Sequence, residues 1–181
     1  KLTGLFTLMA ASGMFIPAAV GSKLSVFENV FCDVGDEQSI EQSLSTFSSH
    51  MKNLIKITEN IDENSLVLID EIGAGTDPDE GSALARAVIE KLVAANSKGI
   101  ITTHYSALKE YAYTEKKLEN ASMEFNAETF APLYRLNIGL PGTSNAIEIS
   151  KMLGLDESIT SRAFDLLGTE KVGFENVLKE A

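Results

Sequence analysis

The sequence predicts an α/β fold built on a largely parallel sheet, and three observations favour this class. Two continuous apolar runs, "SLVLID" and "GIITTH", are typical of strands that are covered on both faces, as in parallel sheets. Segments with apolar residues at helical spacing lie between and beside these runs. The links are short, so the order strand, helix, strand, helix indicates crossover helices on a parallel sheet.

Length and composition indicate one folded domain. The chain has 181 residues, of which 44% are apolar, so it can bury a substantial core and is not disordered. Its net charge of −11 repels nucleic acid, so we expect any DNA contact to be local or to lie outside this chain. The single cysteine, Cys32, excludes an intrachain disulfide and fits a reducing cytoplasm; we interpret Cys32 as core filler.

The first predicted elements are a helix and a strand. The apolar stretch from Leu2 to about Phe15 has no capping residue before it and is too short and interrupted to cross a membrane. A signal peptide is the alternative, but its basic region would be thin, so we expect a buried helix. The β-rich run Asn29–Gly35 predicts a strand that ends at the glycine.

A longer helix is predicted from Ser39 to Ile61, because its apolar residues recur at steps of four and three. This stripe consists of Ile40, Leu44, Phe47, Met51, Leu54, Thr58 and Ile61. His50 lies off the stripe, so we interpret it as a solvated residue of the helix surface.

The middle of the chain contains two strands, each followed by a helix. "SLVLID" ends at Asp70, and the next helix starts with Asp77 as its cap and Pro78 in its first position, then runs to about Ala95. "GIITTH" is interpreted as a second buried strand that ends at His104, and a short helix follows.

The last part of the chain changes character. "ASMEFNAE" and "PLYRLNIG" alternate like an antiparallel hairpin or edge pair. Two short helices then follow, Ser144–Leu153 and Glu157–Leu167; Gly154 is expected to end the first and Asp156 to cap the second.

Acidic residues and a histidine lie where the two apolar strands end. Functional crevices in open parallel sheets lie beyond the carboxyl ends of the strands, so Asp70, Glu71, Thr103 and His104 converge if the strands are neighbours. Asp70 could then hold Mg²⁺ through water, Glu71 could orient or deprotonate a water, and His104 could contact a terminal phosphate. The alternative is an ordinary strand followed by an acidic turn.

These residues carry a family resemblance. "LVLIDEIGAGTDPDEGSALARAVIE" followed by "GIITTHYSALKEYA" resembles the ATPase domain of the MutS family, the ABC-type ATPases of DNA mismatch recognition. "DVGDEQSIEQSLSTFSSHM" and "ENASMEFNAETFAPLYRLNIGLPGTSNAIEIS" are most similar to the second bacterial MutS paralogue, which is linked to recombination control and stalled-ribosome processing. The resemblance implies a three-layer P-loop NTPase-like (ABC ATPase) domain with a largely parallel sheet, an antiparallel edge and a C-terminal helical pair.

The resemblance also implies roles for single residues. "LVLIDE" matches Walker B, with Asp70 as the Mg²⁺-side aspartate and Glu71 as the general base, and His104 matches the switch histidine. Gly73–Pro78 matches the D-loop at the dimer interface. The D-loop residues assigned in this way are Gly73, Ala74, Gly75, Thr76 and Asp77.

Further nucleotide contacts are implied upstream. "STF" matches the signature segment, so Ser45 and Thr46 would reach the γ-phosphate that the other subunit holds. A helix that begins at Ser45 would aim its amides at that phosphate. The apolar stripe reaches back to Ile40 and favours a longer helix, but we expect a break before Ser45; the alternative is that Ser45 and Thr46 are polar-face residues. Asp36 and Gln38 fall where a loop that contacts nucleotide or Mg²⁺ would lie.

One family motif is missing from the sequence. No G-x-x-x-x-G-K-[ST] occurs in it, whereas the family carries this phosphate loop (Walker A) just before a helix like Leu2–Phe15. We therefore expect that the chain begins just after the loop and that the parent protein hydrolyses ATP with Mg²⁺. The chain itself is expected to bind ATP weakly or not at all, and to be inactive.

The closing helices could be a DNA-reading helix-turn-helix or a dimerisation segment. The second helix offers only Arg162 against Asp156, Glu157 and Asp165, a balance that would repel phosphates. Its apolar positions form a packing stripe of Ile159, Ala163, Leu166 and Leu167. In the MutS family this region helps to join two ATPase domains. The resemblance therefore implies a partial ATPase domain over residues 1–143 and a helix-turn-helix-like dimerisation segment over 144–181.

Several functions compete at this point. The first is an ATPase that couples ATP to a DNA clamp or to ribosome handling, as a homodimer joined through the ATPase face and the C-terminal helices. It would bind DNA through regions outside this chain and would not contact a membrane. The alternatives are a catalytically silent dimerisation module and a Mg²⁺-dependent phosphotransferase or nuclease that uses Asp70, Glu71 and Asp77. A transporter-type ABC ATPase is disfavoured because the sequence lacks Leu-Ser-Gly-Gly-Gln.

Overall fold

A computed structural model describes residues 1–35, 43–126 and 129–167, with the helical backbone alone for residues 43–46. The chain forms two compact units, Lys1–Tyr111 and Ala112–Ala181. In the described ranges, none of the helices combines the length and the apolar character needed to cross a bilayer.

The first unit contains a parallel sheet and the helices that pack on it. The strands β1 (Asn29–Asp33), β2 (Ser65–Ile69) and β3 (Lys98–Ile101) are all parallel and lie in the order β1-β2-β3. The helices of this unit are α1 (Leu2–Ala11), α2 (Ser43–Asn60), α3 (Pro78–Ala94) and α4 (Ser106–Thr114), the last of which runs on past Tyr111. All five residues of β2 are buried, as its continuous apolar run predicts.

The strands of this sheet end level with one another. Asp33 pairs with Ile69, and Ile69 pairs with Ile101. The residues that follow each strand therefore lie side by side at one edge of the sheet, where functional crevices of open α/β sheets form.

Helices cover both faces of the sheet. On one face, α1 approaches so closely that a Cβ on Gly4 would lie 2.6 Å from Cδ1 of Leu68. Side chains alternate along a strand, so Asp33 lies on the opposite face from Cys32, the neighbour of Gly4. On that opposite face α2 contacts Asp33, and α3 packs beside α2. This arrangement confirms the predicted α/β class in three layers.

The second unit contains an antiparallel pair and two helices. β4 (Ala121–Phe125) and β5 (Pro132–Ile138) pair with an irregularity between Met123 and Phe125. The predicted antiparallel pair is confirmed, as a two-stranded sheet of its own. The helices are α5 (Ala146–Met152) and α6, which covers residues 157–167.

Two residues shape the link between α5 and α6. Gly154 has a φ of +96° and ends α5. Helices commonly end at a residue in this left-handed conformation, and it is usually glycine because glycine has no Cβ to clash. The carboxylate of Asp156 accepts a hydrogen bond from the Ser158 amide at 2.9 Å, which caps α6. Both sequence predictions are confirmed.

Helix α1 differs from its prediction in length and burial. It ends at Ala11 rather than Phe15, because Gly13 adopts a φ of +74° and the Ser12 hydroxyl donates to the carbonyl of Leu8. Only Gly4 and Thr7 are fully buried on it. Its leucines are exposed, so the expectation of a buried helix is wrong apart from the narrow face on the sheet.

The outer strands are also less buried than their sequences predict. β3 is four residues long and mostly exposed, and Cys32 in β1 is exposed rather than core filler. Both strands lie at the edges of the three-stranded sheet within the described residues, so one side of each lacks a neighbour. The burial of β1 and β3 therefore depends on the order of the strands in the sheet. A single apolar run in the sequence does not reveal that order.

Candidate functional site

The ends of β2 and β3 are joined beyond the strands themselves. The Thr102 amide donates to the carbonyl of Ile69 at 3.0 Å, and the Ile72 amide donates to the carbonyl of Thr102 at 3.1 Å. The predicted convergence of the two strand ends is therefore confirmed, and it brings Asp70 and Glu71 beside the segment that leads to His104.

Thr102 organises the acidic pair. Its hydroxyl donates to Oδ1 of Asp70 at 2.5 Å and accepts from the Glu71 amide at 2.9 Å. Within the described residues Oδ2 of Asp70 accepts no hydrogen bond, so one carboxylate oxygen remains available. Thr102 was not predicted from the sequence, although its position one residue past β3 places it level with Asp70 in the register.

Glu71 has an unusual backbone conformation. Its φ is +48°, a left-handed value that costs a residue with a Cβ about 1 kcal/mol or more. Such strain is concentrated at functional sites, because the surrounding structure must hold it in place. The side chain is exposed, so its carboxylate is accessible to a water or a ligand.

A small notch of about 50 Å³ opens beside Asp70. Lys1 and Thr3 at the start of α1 border it, together with Val34, Asp70 and Thr102 at the strand ends. The carboxylate of Asp70 is a hard oxygen donor of the kind that Mg²⁺ prefers.

His104 lies at the same edge of the sheet but stands apart from the carboxylates. It is exposed, three residues past the end of β3, and its ring centroid lies 4.5 Å from that of Tyr105. No hydrogen bond joins His104 to Asp70 or Glu71 in the described structure. The switch role of His104 therefore stays a prediction.

The predicted D-loop follows Glu71 and contains two glycines with positive φ. Gly73 has a φ of +81° and Gly75 one of +88°, so side chains at these positions would be strained. Asp77 ends the segment as the cap of α3, and its Oδ1 accepts from the amides of Asp79 and Glu80 at 3.0 and 3.2 Å. The cap was predicted from sequence; the dimer role of Gly73, Ala74, Gly75, Thr76 and Asp77 stays a prediction.

The signature residues lie partly outside the described structure. Ser45 and Thr46 belong to the helical backbone of α2, and their side chains are not described. Ser43 is already helical, so the helix does not begin at Ser45 itself. A break further upstream would fall in residues 36–42, outside the described residues, and stays a prediction. Asp36 and Gln38 lie outside the described residues, and their roles stay predictions.

A buried polar cluster at the end of β1 was missed. Asp33 is only 4% exposed, and its Oδ2 lies 2.9 Å from Nδ1 of His50. Asn53, one turn further along α2, donates to Oδ1 of Asp33 at 3.0 Å. The interpretation of His50 as a solvated residue is therefore wrong. The available signal was the spacing of His50 and Asn53, which puts two polar groups on one face of the helix.

The C-terminal helices expose part of the predicted packing stripe. Ile159, Leu166 and Leu167 are exposed, and Ala163 is half-buried. Hydrogen bonds from the hydroxyl and then the amide of Ser158 lower the pKa of Asp156 from its usual value. The Lys151 ammonium lowers the pKa of Glu157, first through a 2.9 Å hydrogen bond and then through its charge.

The alternative three-carboxylate metal site finds no support in the geometry. Asp77 uses Oδ1 to cap α3. In the described part of the chain, no three histidine, cysteine or acidic side chains are grouped as metal ligands. The assignment of Mg²⁺ to Asp70 stays a prediction.

Comparisons with known proteins bear on the family of the chain. A family model, MutS domain V, matches residues 1–169. The chain is 56% identical over 179 residues to "Endonuclease MutS2" of Clostridioides difficile, with 99% of the chain and 23% of that protein covered. It is 57% identical over 178 residues to "Endonuclease MutS2" of Acetivibrio thermocellus, with 98% and 22% covered.

The share of the chain and of each relative that is covered decides whether the comparisons show the family or the whole protein's activity. The chain spans less than a quarter of the length of these relatives, but the family model covers nearly all of the chain. The relatives agree with the branch to which the sequence motifs point. The chain therefore belongs to the MutS family, as a domain V with a P-loop ATPase-like α/β fold, and it is similar to the second paralogue of that family.

Proposed function

We propose that Asp70, Glu71 and His104 form part of an ATP hydrolysis site. In this proposal the complete protein couples ATP binding and hydrolysis to the action of a DNA clamp or to ribosome processing. The observation that carries the proposal is the Asp70–Thr102 hydrogen bond, which fixes one carboxylate oxygen and leaves the other available beside Glu71. Membership of the MutS family supports the choice of ATP among phosphate substrates.

Each residue has a separate task in this proposal. Asp70 would help to hold Mg²⁺, and Thr102 keeps the Asp70 carboxylate from rotating. Glu71 accepts the proton of the attacking water, and His104 donates a hydrogen bond to the γ-phosphate. When bound, Mg²⁺ would supply neutralisation of the negative charge on the phosphate groups.

The nucleotide site is completed by a second copy in this proposal. Gly73–Asp77 lies at the dimer interface, and Ser45 and Thr46 at the start of α2 reach the γ-phosphate of the other subunit. The strongly acidic net charge favours DNA contacts outside this chain. Recombination control and mismatch repair are the two DNA functions that fit the family.

The chain by itself is proposed to be a catalytically silent module, because its sequence contains no Walker A lysine or glycine-rich loop. Calorimetric titration of this chain with Mg·ATP measures the point directly. We expect no saturable binding in the micromolar range. A submillimolar Kd for Mg·ATP would contradict the proposal. It would mean that residues other than a Walker A loop bind the phosphates.

The exposed apolar stripe of α6 supports dimerisation through the C-terminal helices. Leu166→Asp places a charge on the stripe and should abolish association, whereas charge reversal at the neighbouring Asp165 should leave it unchanged. Sedimentation of the full-length protein distinguishes the two. Equal effects of both variants would contradict this use of α6.

Hydrolysis is tested in the full-length protein with Glu71→Gln. Removal of a general base should lower the turnover of ATP by about 100-fold or more while the affinity for ATP is retained. Glu80→Gln is the matched control, because Glu80 is an exposed glutamate on the first turn of α3. Turnover that survives Glu71→Gln within a factor of about two would reject the proposed function.

A further inference from the structure

We propose that Tyr105 is a positioning residue that ties the turn carrying His104 to the segment Gly73–Asp77. This inference rests on the proposed function, because it explains how contact of His104 with a phosphate reaches the segment that faces the second copy. Tyr105 itself touches neither nucleotide nor metal in this account.

The first observation is a hydrogen bond between two turns. The Tyr105 hydroxyl donates to the carbonyl of Gly73 at 2.8 Å, and it links residues 32 positions apart in the chain. Tyr105 is half-buried, so water competes less with this bond than at an exposed site. The turn after β3 and the turn after β2 are therefore attached at one point.

The second observation is the close packing around the contact between the Tyr105 hydroxyl and the Gly73 carbonyl. A Cβ on Gly81 would lie 2.5 Å from the carbonyl oxygen of Gly73 and 2.6 Å from the Tyr105 hydroxyl. A Cβ on Gly73 would lie 2.4 Å from the carbonyl oxygen of Gly81 and 3.1 Å from Cε2 of Tyr105. The first turn of α3 thus closes the contact, and a shift of Tyr105 must displace Gly73.

The third observation is how the turn after β3 is fixed at its two ends. Thr102 is bonded to Asp70 and Glu71 at one end, and Tyr105 is bonded to Gly73 at the other. Within the turn, the Tyr105 amide donates to the Thr103 hydroxyl at 3.1 Å. His104 lies between these anchors, is exposed, and has its ring against that of Tyr105. A movement of His104 toward a phosphate is therefore passed to Tyr105, and from there to Gly73.

Tyr105→Phe in the full-length protein tests this role, because it removes one hydroxyl and keeps the ring that fills the contact. We expect kcat for ATP hydrolysis to fall by about tenfold with KM changed less than about twofold. Tyr113→Phe is the matched control, since Tyr113 is an exposed tyrosine of α4 with no hydrogen bond recorded in the described structure. It should leave both constants unchanged.

A double-mutant cycle separates positioning from simple destabilisation. If Tyr105 acts through His104, Tyr105→Phe should lower single-turnover hydrolysis in the wild-type background and have little effect, less than about twofold, in the His104→Ala background. Equal fold-losses in the two backgrounds, or a kcat for Tyr105→Phe equal to wild type, would overturn the inference. The Glu71→Gln result distinguishes this failure from failure of the proposed function, because that result does not depend on Tyr105.

Discussion

Two neighbouring strands of the parallel sheet end in a carboxylate, and the two carboxylates have opposite surroundings. At the end of β1, Asp33 is buried, and His50 and Asn53 each occupy one of its oxygens. Just past β2, Asp70 is half-buried, with one oxygen on Thr102 and no partner among the described residues for the other. The two residues are adjacent, because the Asp70 amide donates to the Asp33 carbonyl at 2.9 Å.

The carboxylate better suited to bind a ligand is that of Asp70. An acid at the end of a parallel strand is in the right place, but Asp33 has no oxygen left for a cation. Asp70 has an oxygen left, and it lies beside a residue with a strained backbone, Glu71. We therefore expect substitutions at Asp33 to lower mainly the free energy of unfolding. Substitutions around Asp70 should lower mainly the turnover of ATP.

The largest expected effect on stability is that of Asp33→Ala. It leaves the partly buried donors of His50 and Asn53 without their acceptor and removes a charge-assisted hydrogen bond, so the free energy of unfolding should fall by about 3 kcal/mol. Urea unfolding followed by circular dichroism measures it. Asp79→Ala, at an exposed aspartate on α3, is the control and should cost less than about 0.5 kcal/mol. Equal losses for the two variants would remove the distinction between the strand ends.

Gly81→Ala should rank second. Its methyl group would overlap the Gly73 carbonyl and the Tyr105 hydroxyl, so the free energy of unfolding should fall by about 2 kcal/mol. Gly35→Ala is the matched control, because a Cβ there meets no atom of the described residues within 4 Å. If both glycine variants are as stable as wild type, the close contact between the two turns does not exist in solution.

Asn53→Ala should have a smaller effect than Asp33→Ala. It removes one of the two partners of Asp33, and His50 keeps the other oxygen, so the expected loss in the free energy of unfolding is about 1 kcal/mol. The same urea titration measures it. A loss as large as that of Asp33→Ala would mean that the cluster acts as one unit rather than as two hydrogen bonds.

Thr102→Val should have the smallest effect on folding and a clear effect on turnover. Thr102 is exposed, so stability should change by less than about 0.5 kcal/mol, while loss of the bond to Asp70 should lower ATP turnover of the full-length protein by about tenfold. Thr102→Ser keeps the hydroxyl and should restore most of the turnover. A Thr102→Val enzyme with wild-type turnover would show that Asp70 needs no such support.

The sequence predicts well what contiguous residues determine. Three features depend on neighbours within a few positions and can be predicted without knowledge of the fold. They are the acidic pair after β2, the Asp77 cap and the alternating pair β4–β5. The order of β2 and β3 is also predictable, because short crossover links favour neighbouring parallel strands.

Contacts between distant residues were not predictable in the same way. The Asp33–His50 contact spans 17 residues and depends on the rotation of α2 about its own axis. The role of Thr102 depends on the register between β2 and β3, and the exposure of Cys32 depends on β1 lying at an edge. Each is a property of strand order or helix orientation, which hydrophobic periodicity constrains only loosely.

The most direct test of the account is a structure of the full-length protein with Mg²⁺ and a non-hydrolysable ATP analogue. We predict that the metal lies beside the free oxygen of Asp70, directly or through a water, and that the γ-phosphate lies within hydrogen-bonding reach of His104 and of a water held by Glu71. A triphosphate and metal bound away from the ends of β2 and β3, with Oδ2 of Asp70 facing neither, would contradict it.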